Sequence, residues 1–302
     1  MKENILIVGT GALGSLFAAR LAQAGHHVSM LGTWQEGLNT IRKNGLHFTD
    51  SEGNQHQFQI HATDDPRECV GAKHALVLVK AWQTERAANQ LKECLADDGL
   101  AVTLQNGLGN REALIQRLGS DRVALGVTTA GATLLGPGAV KAGGEGPISM
   151  ERNQALGPLE EALTSANFDV RVVENAQSLV WGKLVINSAI NPLTALLRIP
   201  NGELLERPSA HEVMKELARE TARVAYAERI ELPFSDPIAA VEDVARRTAT
   251  NRSSMLQDVL RGARTEIDSI CGAVVRYGEK HDIPTPANWD CWKLVGALHH
   301  SG

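Results

Sequence analysis

"ILIVGTGALGS", residues 5–15, decides the fold. Ile5 to Val8 read as a short buried strand that runs directly into Gly9, Gly11 and Gly14, spaced as GxGxxG at the start of a helix. Each glycine has a reason. A tight strand-to-helix turn needs Gly9, a pyrophosphate can come close only to a bare backbone at Gly11, and helix packs tightly on strand only where position 14 lacks a side chain. The helix that follows turns free N–H groups toward an anion. A glycine-rich turn holding no ligand has the same letters. Strand-helix alternation downstream favours a dinucleotide site built from Gly9, Thr10, Gly11, Ala12, Leu13 and Gly14.

Outward from that turn, "HHVSML" (26–31), "HALVLVK" (74–80), "LAVTLQN" (100–106), "RVALGVTTAG" (122–131) and "FDVRVV" (168–173) predict further strands, several apolar enough to be buried on both faces of a parallel sheet. Helical stretches such as 12–24 and 84–96 separate them. The glycine-rich piece 134–149 reads as a hairpin or loop. Beyond residue 175 the strand signal stops, and 176–198, 209–230, 236–248 and 253–281 carry helical spacing. The fold expected is α/β, with a Rossmann-type parallel-sheet domain over 1–174 and a second, mostly helical domain over 175–302 for substrate and catalysis.

Composition narrows the function classes. The 302 residues are 43% hydrophobic and 22% charged with a net charge of −5, which suits a globular chain and gives phosphate backbones no basic footprint. Nucleic acid is not an expected partner. No apolar run is long enough to span a bilayer, so no membrane association is expected. Cys69, Cys94, Cys271 and Cys291 lie far apart, which predicts neither a metal site nor a disulfide framework and points to the cytoplasm.

Chemistry concentrates in "WGKLVINSAINPLTALL", residues 181–197, where Lys183, Asn187 and Asn191 recur every four residues. Residues so spaced differ by about 40° in direction, so they form one drifting polar strip on an apolar helix. A wetted strip is the plain reading. Pro192 counts against it, because it should end the strip at a kink whose freed carbonyls line a cavity. A second cluster holds Asn251, Ser254 and Glu266; on one continuous helix, Ser254 and Glu266 would share a face about 18 Å apart. A helix cap for Asn251 or Ser254 and a solvated face for Glu266 are equally open from spacing alone.

Taken together, "GTGALGS", "VKAWQT" (79–84), "QNGLGN" (105–110), "WGKLVINSAINPLTAL", "PNGEL" (200–204), "SSMLQD" (253–258) and "RTEID" (264–268) make the whole chain resemble the ketopantoate reductases, or 2-dehydropantoate 2-reductases. The resemblance implies NADPH-dependent reduction of ketopantoate to pantoate, on the route to pantothenate and coenzyme A, by a monomer or homodimer. It implies that Lys183 donates the proton, with Glu266 as the second active-site residue beside it. Asn106, Asn187, Asn191, Asn201, Asn251 and Ser254 match substrate contacts. Thr33, Lys80, Asn106, Ala132 and Glu266 match cofactor contacts, although Lys80 also reads as an ordinary lysine at a strand end. A reductase of another branched 2-keto acid, or a cofactor-binding relative without activity, are the alternatives.

One departure bears on the cofactor. Family members often carry an arginine for the adenosine 2′-phosphate where this chain has Thr33. Yet 26–35 contains no carboxylate to hold a free ribose 2′-hydroxyl, the first being Glu36. The expectation is NADP, with a narrowed preference over NAD and with Lys80 in place of the missing cation.

Overall fold

The structure, a computed structural model, describes residues 4–298. Its chain forms two compact units, one of residues up to Gln105 with Asn110–Ala176, the other of Asn106–Gly109 with residues from Gln177 on.

In the first unit β1 (Asn4–Val8), α1 (Ala12–Gln23), β2 (His27–Leu31), α2 (Gln35–Asn44), β3 (Leu46–Thr49), β4 (Gln55–Phe58), β5 (His61–Thr63) and β6 (Ala72–Val77) come first. They are followed by α3 (Thr84–Cys94), β7 (Leu95–Thr103), α4 (Asn110–Leu118), β8 (Val123–Thr128), β9 (Ala132–Gly136), β10 (Ala139–Ala142), β11 (Ile148–Glu151), α5 (Gly157–Ser165) and β12 (Val170–Val173). The main sheet has the order β12-β11-β8-β7-β6-β1-β2-β5. Strands β8, β7, β6, β1, β2 and β5 run parallel to one another, while β11 pairs antiparallel with β8 and parallel with β12, so that edge pair runs the opposite way. Ile5, Ile7, Leu76, Val102 and Ala124 pack with Leu16 and Phe17 of α1 in a core on one side of the sheet, while Leu6, Val8, Val77 and Ala101 pack with Ala87, Leu91 and Leu114 on the other. Burial on both faces explains why these strands carry apolar residues at successive positions, as at Ile5–Val8, Ala75–Val77 and Leu100–Val102, rather than at alternate ones.

The glycine-rich piece is a hairpin, β9 against β10, and β10 also pairs with β3 in a small sheet of order β4-β3-β10-β9. That sheet was not evident from the sequence.

The second unit is helical: α6 (Ala176–Leu197, its first residue belonging to the first unit), α7 (Glu203–Glu206), α8 (Pro208–Ala227), α9 (Pro237–Arg247), α10 (Ser254–Leu260), α11 (Cys271–Lys280) and α12 (Pro286–Ala297). Trp181, Val185, Ala189, Leu217, Val224, Val274 and Val295 share its core. Glu220 of α8 is fully buried there and accepts from the backbone N–H groups of Ala287 and Asn288, neutralising the start of α12. Among the described residues, no helix is long and apolar enough to cross a membrane.

One helical run expected from the sequence, 176–198, is matched by α6, which runs through Pro192 to Leu197, and another is corrected. Proline removes the N–H that would meet the carbonyl of Ser188, and the Cys271 thiol approaches that carbonyl instead, at 3.9 Å. Residues 253–281, expected to carry one helical run, divide into α10 and α11. At Gly262, with φ +65°, α10 closes in a left-handed turn: the N–H of Ala263 donates to Asp258 at 2.9 Å and that of Gly262 to Val259 at 3.1 Å. Ser254 and Glu266 therefore do not share a helix face.

Candidate active site

The turn after β1 is closed by its own glycines. Gly9 has φ +126° and donates its N–H to Leu31 at 2.8 Å, and a Cβ there would lie 2.9 Å from the Leu78 backbone. A Cβ on Gly14 would lie 2.0 Å from the carbonyl oxygen of Gly9. Gly11 differs. Its φ of −80° suits any residue and a Cβ would meet nothing within 4 Å, so folding does not demand glycine at this position. The bare backbone leaves open space before the first turn of α1, which has no side-chain cap. Thr10 is buried against Gly32, where a Cβ would come within 2.7 Å of its methyl group, and this ties the turn to the end of β2. Ala12 and Leu13 open α1, and Ala132 opens β9 opposite Ala142.

Beyond β2, the exposed Thr33 hydroxyl accepts from Nη1 of Arg86 at 2.8 Å. Arg86 lies in the first turn of α3. Nothing in the sequence marks it, since an arginine in a helix is usually a solvated charge. Asp64, one residue past β5, is held by Nε2 of Gln35 at 2.7 Å and Nη2 of Arg42 at 3.0 Å. Lys80 precedes a single tight turn over Ala81–Gln83 and accepts from the N–H of Gln83 at 2.8 Å.

In the second unit the polar strip of α6 sinks into the protein. Lys183 and Asn187 are half-buried, and Asn191 is 7% exposed. A wetted strip would show the reverse. Burial pulls the Lys183 ammonium down to about 8, and the charge of Glu266 opposes that fall. Glu266 is itself buried and accepts from Nδ2 of Asn106 at 3.2 Å. Asn106 is delivered by a close backbone fit: Leu108 donates its N–H to Ser269 at 2.9 Å, and Gly107, at φ +78°, leaves no room for a Cβ, which would lie 2.4 Å from that same carbonyl oxygen. Lys183, Glu266 and Asn106 are thus linked in one constellation.

The remaining polar residues divide. Asn201 donates to the Thr248 hydroxyl at 2.9 Å, while its buried Oδ1 has no partner among the described residues. Its N–H donates to the carbonyl of Asn251 at 3.0 Å, which joins those two positions through backbone. Asn251 and Ser254 are exposed. The cap of α10 is Ser253, which accepts from the N–H of Leu256 at 3.0 Å and from the Thr194 hydroxyl at 2.7 Å. Neither Asn251 nor Ser254 serves as that cap.

A parallel sheet with this glycine turn, joined in one chain to a desolvated lysine beside a carboxylate, defines an oxidoreductase that uses a nicotinamide dinucleotide. Comparison with known proteins gives the family. Residues 5–154 match the model for "Ketopantoate reductase PanE/ApbA", and residues 175–299 match that for its C-terminal part. The chain belongs to the ketopantoate reductase family. It is 36% identical to the 2-dehydropantoate 2-reductase of Halobacterium salinarum over 99% of this chain and 100% of the relative, and 36% identical to that of Archaeoglobus fulgidus over 97% of each. Among solved structures, a PanE/ApbA family ketopantoate reductase from Ralstonia eutropha JMP134 superposes with a TM-score of 0.92 at 32% identity, covering 98% of each chain. D-mandelate dehydrogenase, in a ternary structure with NADH and anilino(oxo)acetate, also superposes with a TM-score of 0.92, at 27% identity and 98% of each chain.

Proposed function

We propose that this protein reduces ketopantoate to pantoate with NADPH, Lys183 supplying the proton. The observation that carries the reading is the constellation of half-buried Lys183 and Asn106 with the buried Glu266. The dinucleotide, when bound, supplies the hydride that converts a ketone to an alcohol. The chain supplies everything that happens at oxygen. Lys183 donates a proton from Nζ to the carbonyl oxygen as negative charge develops there, and its positive charge stabilises that oxygen before the proton moves. Glu266 keeps the ammonium charged despite its burial. Asn106 fixes the carboxylate by donating to it, so the lysine has a settled counter-charge.

Amides on one strip suit a small acid with several oxygens. Asn187 and Asn191 offer donors and acceptors without a second cation to compete with Lys183. The unpartnered Oδ1 of Asn201 is an acceptor for a substrate hydroxyl, and the exposed Ser254 and Asn251 complete the set of substrate contacts. On the cofactor side, the open backbone at Gly11 and the uncapped α1 fit a pyrophosphate, with Thr10, Ala12, Leu13, Lys80 and Ala132 around the dinucleotide. The four cysteines are buried thiols, which suits a reducing cytoplasm.

A second reading, reduction of a bulkier 2-keto acid with NADH, is favoured by the likeness to D-mandelate dehydrogenase. An assay of NADPH and NADH oxidation with ketopantoate, phenylglyoxylate and two aliphatic 2-keto acids separates the readings. The highest kcat/KM should fall to ketopantoate with NADPH. A higher value for phenylglyoxylate would overturn the assignment of substrate.

A further inference from the structure

Thr33 offers a hydroxyl where a cation is expected, and the fold brings a cation to it. Strands β6, β1 and β2 are neighbours in the sheet, so the start of α3, which follows β6, comes beside the end of β2. Arg86 uses that adjacency to place Nη1 at 2.8 Å from the Thr33 hydroxyl.

Arg86 combines partial burial with an unpartnered guanidinium nitrogen, whereas Arg122, which also reaches no carboxylate, donates to the carbonyls of Leu95, Ala96 and Gly99. In the first unit Arg20, Arg42, Arg67, Arg111, Arg152 and Arg171 each reach a carboxylate. Among the described residues, Arg86 has no carboxylate partner, and its buried Nε has no acceptor. Burial lowers its pKa, with no nearby anion acting in the other direction. A guanidinium held in this way carries the cost of partial desolvation without the compensating ion pair. A ligand anion would supply both the charge and the acceptor. Asp64 pairs with Arg42 and Gln35 rather than with Arg86.

We propose that Arg86, positioned by Thr33, is the residue that binds the adenosine 2′-phosphate and sets the preference for NADPH. The site takes a phosphomonoester dianion on a ribose. A guanidinium binds phosphate through paired N–H groups, so one from α3 replaces one from β2 without loss of chemistry. Thr33 holds the group in place and adds a hydroxyl contact. The inference rests on the NADPH reading, and its test separates the two.

Binding of 2′,5′-ADP and of 5′-AMP is measured by isothermal titration calorimetry for the wild type, Arg86→Ala, Arg86→Lys and Lys80→Ala. The wild type should prefer 2′,5′-ADP. Arg86→Ala should weaken 2′,5′-ADP by about ten- to a hundredfold, the range for a lost charge-assisted contact, and leave 5′-AMP within about twofold. Arg86→Lys should recover part of the loss. Retained 5′-AMP binding shows that the variants are folded. If the wild type prefers 2′,5′-ADP and Arg86→Ala keeps that preference, Arg86 is not the determinant and the NADPH reading stands; loss of preference in Lys80→Ala alone would assign the role there. Equal weakening of both ligands by Arg86→Ala would reduce Arg86 to structural support and overturn the proposal. A wild type with no preference overturns the NADPH reading and this inference with it.

Discussion

Lys183 is where burial and charge are most directly converted into chemistry. Its ammonium sits at about 8 because burial penalises the charged form more than Glu266 restores it. A proton donor works only while protonated, so kcat/KM for ketone reduction should be level below about pH 7 and fall as pH rises through about 8, rather than near the unperturbed lysine value of about 10.4. Glu266→Gln removes the charge that raises this pKa, so the descending limb should move to lower pH. A limb that stays in place would show that the carboxylate does not act on the lysine. Lys183→Ala should lower kcat at least about a hundredfold, the lower bound for losing a general acid, with NADPH affinity unchanged within about twofold. Turnover near that of the wild type would remove Lys183 from the mechanism. The strip containing Lys183 was legible from a four-residue spacing; its burial was not, because periodicity shows which residues share a face and not what covers that face. Arg86 was illegible for a related reason, since its partner Thr33 is distant in sequence and meets it only through strand order.

Elements were legible where composition and periodicity agreed. The strands around the glycine turn carry runs of successive apolar residues, such as Ile5–Val8 and Ala75–Val77, because the sheet is buried on both faces. Short strands β3 and β4 escaped notice because "LHFT" and "QHQF" carry polar residues on one face and join through a turn that Asp50 organises by accepting from the N–H groups of Glu52 and Asn54. The single helix expected over 253–281 failed at Gly262, where one left-handed residue ends α10. The adjacent pair Ser253 and Ser254 shows how finely element ends divide roles. Ser253 is buried, caps α10 and meets Thr194, whereas Ser254 is exposed and has no part in the cap. Ser253→Ala should therefore lower stability by about 1 kcal/mol, with substrate KM little changed in the folded enzyme. Ser254→Ala should do the opposite, raising KM for ketopantoate severalfold with a melting temperature close to wild type, because a ground-state substrate contact is lost while the fold loses nothing. Thermal melts and steady-state kinetics on the two variants read both effects. An effect of Ser253→Ala on KM equal to that of Ser254→Ala would erase the distinction.

At the scale of the molecule, chemistry is divided as packing is. Each unit has its own apolar core, the first on both faces of the sheet and the second among α6, α8, α11 and α12. The residues proposed for the pyrophosphate and the adenosine 2′-phosphate, Gly11, Thr33 and Arg86, lie in the first unit, while Lys183 and Glu266 lie in the second. A ligand that stabilises a fold does so only through the body it binds, so 2′,5′-ADP should protect the two cores unequally. In native-state hydrogen exchange at 2′,5′-ADP about a hundredfold above its Kd, amides of β1, β2, β6 and the first turns of α1 and α3 should slow by up to about a hundredfold, the limit set by mass action. Amides at Val185, Val224 and Val274, in the second core, should exchange at their free-protein rates. Protection spread evenly over both sets would mean that the two units open as one cooperative body. Protection of the second set alone would show that the dinucleotide binds elsewhere than the glycine turn and the Thr33–Arg86 pair.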